Sequence, residues 1–314
     1  MPHRATHDRY LRMLETAFGQ TMMDLMEDDD VIEIMLNPDG HLIVDRLSCG
    51  KKITDIQISP DLSENLIKLV ASYKNAVVNA HEPSIAADLV FKGARFQGWL
   101  PPVVSQPTFA IRKRATRIFT LDEYVKENSL IEKGADILRE AIRNHKNIMI
   151  AGGTSSGKTT FANAVLHELQ GTHDRLIILE DLPELQVAVE DVVFMTTTAA
   201  ISMRDLVRGS MRMRPDRLMI GEVRDGAALD LLKAWNTGHP GGICTIHANS
   251  VESTLLRLED LIREVVVTIP KNLILEAIDL IVYIKKEKSG KRVIQNIAEL
   301  AEYSQEKYVL RQLV

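Results

Sequence analysis

Residues 151–160 read AGGTSSGKTT, glycines and hydroxyl residues around one lysine. Such a run neither packs a core nor makes a good helix interior. Gly152, Gly157, Lys158 and Thr159 satisfy G-x-x-x-x-G-K-[ST], the spacing of a phosphate-binding loop. Glycine lets successive backbone N–H groups turn toward one anion. A helix starting at the lysine adds its positive end. The candidate cradle therefore comprises Gly152, Gly153, Thr154, Ser155, Ser156, Gly157, Lys158, Thr159 and Thr160. Lys158 supplies a point charge for the outer phosphates. The Thr159 hydroxyl is a candidate ligand for Mg²⁺.

Carboxylates recur where apolar runs end. LMIGEVR (218–224) closes on Glu222, a candidate to hold the magnesium shell or to orient an attacking water. LIILEDLPE (176–184) ends in Glu180, Asp181 and Glu184, any of which is a candidate general base or a solvated loop acid. GHPGGICTIHANS (238–250) carries His239 and His247, read as sensing phosphate, bridging the sheet or packing structurally; a zinc site needs more ligands. Arg204, Arg208 and Arg212 share one helical face, either solvated, in contact with a neighbouring subunit or relaying charge near the nucleotide. Arg95, Arg112 and Arg114 cluster in a strand-rich stretch, and arginine suits bidentate phosphate contact. No N-K-x-D segment is present to read guanine, and no segment supplies the lid of a small-molecule kinase.

The elements positioning these residues follow from apolar spacing. From about residue 131 strands and helices mostly alternate: helix 131–145, strand 147–151, the glycine loop, a helix from 161, strands 175–180 and 192–197, helix 203–213, strand 217–222, helix 226–236 and strand 242–247. That pattern predicts a doubly wound, largely parallel sheet, whose carboxyl ends converge on a ligand crevice. Strand-like runs after residue 280 predict an antiparallel edge. Before residue 115, a helix over 8–26, a hairpin turning at Pro38-Asp39-Gly40, a helix opened by Ser59-Pro60 and strands over 85–114 do not alternate, which predicts an α+β domain. The expected division is an N-terminal α+β domain over 1–120, an ordered linker over 121–135 starting beside the capping box Thr120–Glu123, and an α/β domain over 136–314.

The 314 residues carry a formal net charge of −5, which argues against a general nucleic-acid coat. Cys49 and Cys244 form neither a disulfide framework nor a zinc site, so a reducing compartment is expected. The most apolar stretch, LILEAIDLIVYI (273–284), is too short to span a bilayer, which leaves peripheral membrane contact only.

GGTSSGKT, ILEDLPEL, RPDRLMIGEVR and GHPGGICTIHAN, in this order and spacing, resemble the secretion ATPases of type IV secretion systems. Those belong to a larger group with type II secretion and pilus motor ATPases. The resemblance covers nearly the whole chain. It implies a RecA-like P-loop ATPase domain, a homo-hexameric ring, and a cytoplasmic location peripheral to the inner membrane beside other secretion components. ATP with Mg²⁺ would lie between the domains and drive pilus assembly or plasmid DNA transfer. Lys158 and Thr159 would then bind phosphate and magnesium, Glu222 with Glu180 or Glu184 would serve hydrolysis, His247 would belong to the histidine box, and Arg95 and Arg112 would touch phosphate. Sequence-specific nucleic-acid contact is not expected. A type II or pilus-retraction motor, a DNA-translocating ATPase and a nucleotide-gated scaffold are the rival readings. The four-cysteine insertion common in type II motors is absent, which favours the type IV branch, though retraction motors also lack it.

Overall fold

The apolar stripe near the N-terminus forms one side of a small core. In the computed structural model, which describes residues 2–89, 93–114 and 117–314 and side chains from residue 10 onward, that helix is α1 (Pro2–Glu27). Leu14, Phe18, Met22 and Leu25 are buried, as the spacing predicts. The helix is kinked at Gly19, whose φ of 68° lies in the left-handed region.

The chain divides into two compact units between Arg117 and Ile118. In the first, α1 is followed by β1 (Val31–Leu36), β2 (His41–Arg46), β3 (Gly50–Gln57), α2 (Pro60–Tyr73), β4 (Ser84–Asp88), β5 (Arg95–Trp99) and β6 (Thr108–Arg112). The strands pair in the order β3-β2-β1-β6-β5-β4, antiparallel throughout. Ser59 caps α2 by accepting from the Leu62 amide at 3.3 Å, with Pro60 at the first helical position. The helix buries Ser63, Leu66, Ile67, Val70 and Ala71, while Leu62 is exposed. Part of the strand-rich stretch predicted over 85–114, residues 90–92, lies outside the described residues.

The second unit runs α3 (Leu121–Lys126), α4 (Glu132–Arg143), β7 (Ile148–Gly152), α5 (Lys158–His167), β8 (Leu176–Glu180), β9 (Val192–Thr196), α6 (Met203–Ser210), a 3-10 turn at Met211–Met213, β10 (Arg217–Ile220), α7 (Ala227–Asn236), β11 (Ile243–His247), α8 (Val251–Arg263), α9 (Lys271–Ala277), β12 (Leu280–Lys286), β13 (Arg292–Ser304) and β14 (Lys307–Gln312). Its strands pair in the order β14-β13-β12-β7-β11-β10-β8-β9. From β12 to β9 every pairing is parallel, and β13 and β14 add the antiparallel edge.

Strand β7 is buried along its whole length because helices cover both faces of the sheet. Its alternation sends Met149 and Ala151 into one core and Ile148 and Ile150 into the other. Residues 121–135, expected as a connection, hold α3 and the first turn of α4. Leu121 and Tyr124 are buried in the same core as Phe161. The capping box forms: Thr120 Oγ1 accepts from the Glu123 amide at 3.1 Å, and Glu123 Oε2 from the Thr120 amide at 2.9 Å. The apolar stretch 273–284 divides between α9 and β12. Among the described residues no helix is long and apolar enough to cross a membrane.

Candidate active site

The glycine loop bridges the end of β7 and the start of α5. Gly157 is the residue before α5, with φ 94°, a conformation that strains any side chain. A Cβ there would also stand 2.7 Å from Arg292 Cδ. At Gly152 a Cβ would stand 2.5 Å from Ser156 Oγ and 2.6 Å from the Ile284 carbonyl oxygen, so only glycine lets the loop fold back over β12. A Cβ on Gly153 would meet nothing within 4 Å, which leaves that backbone open to a ligand. Thr154 and Ser155 are exposed, Thr159 and Thr160 half-buried in the first turn of α5. The Ser156 hydroxyl is buried without a hydrogen-bond partner.

Lys158 is buried, and its ammonium donates to the Gly152 and Gly153 carbonyls, each at 3.0 Å. Its third contact is His247 Nδ1 at 3.1 Å, at the end of β11. An ammonium has only protons to give, so Nδ1 accepts and the ring proton belongs on Nε2. Burial first, then the Lys158 charge, lowers the His247 pKa below 6.5; Glu222 opposes this in part. The ring is therefore neutral at neutral pH, the only form that can accept from Lys158.

Glu222 sits just past β10, its side chain 17% exposed. Its Oε1 lies 2.9 Å from His247 Nε2, a contact whose alignment falls short of a hydrogen bond, so Oε1 is buried without an aligned donor. Oε2 accepts from Arg224 Nη2 at 2.7 Å. Lys158, His247 and Glu222 thus form one row over the carboxyl ends of β7, β11 and β10, the crevice side of a parallel sheet. Arg224 is the functional candidate that motif reading passed over; its place two residues after Glu222 in GEVR was the available signal.

The acidic segment divides its labour. Glu180 is 3% exposed, and its Oε1 accepts from the amides of Glu184 and Leu185, both at 2.8 Å. That carboxylate ties down the turn after β8. Asp181 Oδ1 accepts from Thr197 Oγ1 at 3.0 Å, and its Oδ2 lies 3.5 Å from Arg224 Nη1. Glu184 is half-buried at the surface of this loop.

The remaining candidates lie away from this row or in the first unit. Arg204 and Arg208 both hold Asp230 of α7, with Nε atoms 2.7 and 3.2 Å from its oxygens, while Arg212 is exposed. His239 Nδ1 bonds the Pro215 carbonyl at 2.9 Å. In the first unit, Arg95 and Arg112 are register partners on β5 and β6.

The family model described as type II/IV secretion system protein matches residues 91–299. The chain belongs to that family. Among relatives of this secretion family, a probable conjugal transfer protein TrbB of Sinorhizobium fredii (strain NBRC 101917 / NGR234) is 44% identical over 98% of this chain and 95% of its own length. Conjugal transfer protein TrbB of Rhizobium radiobacter is 45% identical over 93% of this chain and 91% of its own. The solved ATPase DotB of Legionella pneumophila shares the fold, with a TM-score of 0.63 at 20% identity over 92% of this chain and 79% of that one.

Proposed function

We propose that this type II/IV secretion family member is an ATP-hydrolysing motor that energises a type IV secretion or conjugal transfer apparatus. The single observation behind the chemistry is the row Lys158–His247–Glu222, anchored on the glycine loop and ending in a buried carboxylate oxygen with no aligned donor. The relatives named for conjugal transfer supply the machine to which that chemistry belongs.

In the proposed mechanism, loop amides from Gly153 to Lys158 cradle the phosphates. Lys158 trades the Gly152 and Gly153 carbonyls for phosphate oxygens, a charge-assisted exchange. Glu222 orients a water for in-line attack on the γ-phosphorus and takes its proton. The bond to the β,γ-bridging oxygen breaks, leaving ADP and inorganic phosphate. Thr159 is an oxygen donor of the kind Mg²⁺ takes, and the unaligned Glu222 oxygen would face the ion's water shell. Magnesium would neutralise developing charge on the phosphates. Glu180 organises the turn that presents Asp181 and Glu184, and is assigned no proton transfer. Arg95 and Arg112 are assigned to phosphate contact through the family resemblance. The same resemblance supports a homo-hexameric ring working with other secretion components, cytoplasmic and peripheral to the inner membrane.

Phosphate-release assays on Glu222→Gln test the assignment. The variant is expected to bind ATP normally and to hydrolyse it slower by roughly two decades or more. A Glu222→Gln protein as fast as the parent would remove Glu222 from the chemistry.

A further inference from the structure

Glu222 is held by more than its own strand. Arg224 leaves the same turn, and its guanidinium touches two carboxylates: Nη2 lies 2.7 Å from Glu222 Oε2 and Nη1 3.5 Å from Asp181 Oδ2. Asp181 is itself fixed by the Thr197 hydroxyl at 3.0 Å. Thr197 directly follows β9, and its amide bonds the Glu180 carbonyl at 3.0 Å. A polar brace thus crosses the carboxyl ends of three adjacent strands, β9, β8 and β10, and stops at one oxygen of Glu222.

The two oxygens of Glu222 are thereby made unequal. Oε2 is engaged by the guanidinium, and Oε1 is turned toward His247 and, through it, Lys158. A glutamate side chain otherwise rotates freely and loses that freedom only where a partner holds it. Arginine suits the task because its rigid planar fork reaches two carboxylates at once, which a lysine ammonium does not do in the same geometry.

We propose that Arg224 is a positioning residue for hydrolysis: it fixes Glu222 so that Oε1 faces the His247–Lys158 side of the site, with Asp181 and Thr197 bracing the guanidinium. This rests on the assignment of Glu222 as the water-orienting carboxylate. Arg224 itself is assigned no contact with nucleotide. It acts on kcat through the geometry of Glu222, and leaves nucleotide binding to the glycine loop.

The test is a double-mutant cycle on the full chain, with kcat and KM for ATP hydrolysis and the affinity for a fluorescent ATP analogue measured for Glu222→Gln, Arg224→Ala and the double variant. Arg224→Ala is expected to lower kcat roughly tenfold to a hundredfold, the range typical of residues that orient a functional ligand, with KM and analogue affinity within about twofold of the parent. The double variant is expected to be no slower than Glu222→Gln alone, because the brace has nothing left to position. Arg224→Lys is expected to fall between Arg224→Ala and the parent. Parental kcat in Arg224→Ala overturns the proposal. So do losses that multiply in the double variant, or a loss confined to KM, since either means an independent contact. Should Glu222→Gln hydrolyse at the parental rate, the base assignment has failed, and the role of Arg224 falls with it; that result is visible in the Glu222 single variant alone. If Arg224→Ala does not fold, Asp181→Asn carries the same cycle, with a smaller loss expected and the same absence of further loss on Glu222→Gln.

Discussion

Glu180 offers the sharpest distinction between holding a loop and doing chemistry. Its buried carboxylate accepts two amide hydrogens, from Glu184 and Leu185, at 2.8 Å each. A hydrogen bond to a charged group contributes about 1.5–3 kcal/mol. Truncation to alanine therefore removes about 3–6 kcal/mol of support from the turn after β8. At 1.4 kcal/mol per factor of ten, amide exchange at residues 184 and 185 should quicken by roughly a hundredfold or more. Glu180→Gln keeps an acceptor at about half the strength and should quicken exchange less. Hydrogen-exchange mass spectrometry on peptides covering 182–187, beside ATPase rates, reads both effects. Parental exchange in Glu180→Ala would refute the loop-holding role. So would a Glu180→Gln protein with parental exchange whose turnover has fallen by about two decades, the signature of a lost general base.

Three further outcomes are expected. Gly157→Ala places a side chain at φ 94°, a backbone strain that remains even if Arg292, whose Cδ would stand 2.7 Å away, swings aside; the dissociation constant for ATP should rise at least about tenfold, an expectation a parental value in titration calorimetry would contradict. His247 has its pKa lowered below 6.5, so its neutral ring and its contact with Lys158 should persist at pH 6.5 and be lost only as pH falls further, taking their contribution to stability with them. Nitrogen NMR of the imidazole should give a midpoint below 6.5, and one at or above that value refutes the assignment. Asp230→Ala leaves Arg204 and Arg208 without their shared acceptor, and should destabilise the chain by about 1–3 kcal/mol in thermal unfolding; an unchanged midpoint would show that the pairs contribute nothing.

The phosphate loop and the strands around it were legible because their signals are local. G-x-x-x-x-G-K-T lies within eight residues, and the alternation that buries β7 is a property of five. What the sequence did not disclose is pairing at a distance. Helical spacing put Arg204 and Arg208 on one face, but their partner, Asp230, stands on another helix, 26 and 22 residues on. Period alone says which way a side chain points and not what it meets. The acids of 180–184 looked interchangeable for the same reason. Only the folded turn shows Glu180 engaged by two amides and Asp181 engaged by Thr197. Helix α8, capped by Ser250, carries a weak sequence signal because its leucines follow directly on the histidine segment 238–250. Arg224 carries little signal of its own in sequence, where a cation beside an acid is an ordinary surface pair until the sheet brings a second carboxylate to it.

On this reading the loop from Gly152 to Thr160 grips the phosphates of ATP while Glu222 serves the water that cleaves them. Solving the structure of the protein with Mg²⁺ and a non-hydrolysable ATP analogue tests it most directly. The β-phosphate should lie against the loop amides, Lys158 Nζ should have withdrawn from the Gly152 and Gly153 carbonyls onto phosphate oxygen, and Glu222 should be turned toward the γ-phosphate. An analogue bound elsewhere, or a Lys158 that keeps its carbonyls with the nucleotide in place, would contradict it.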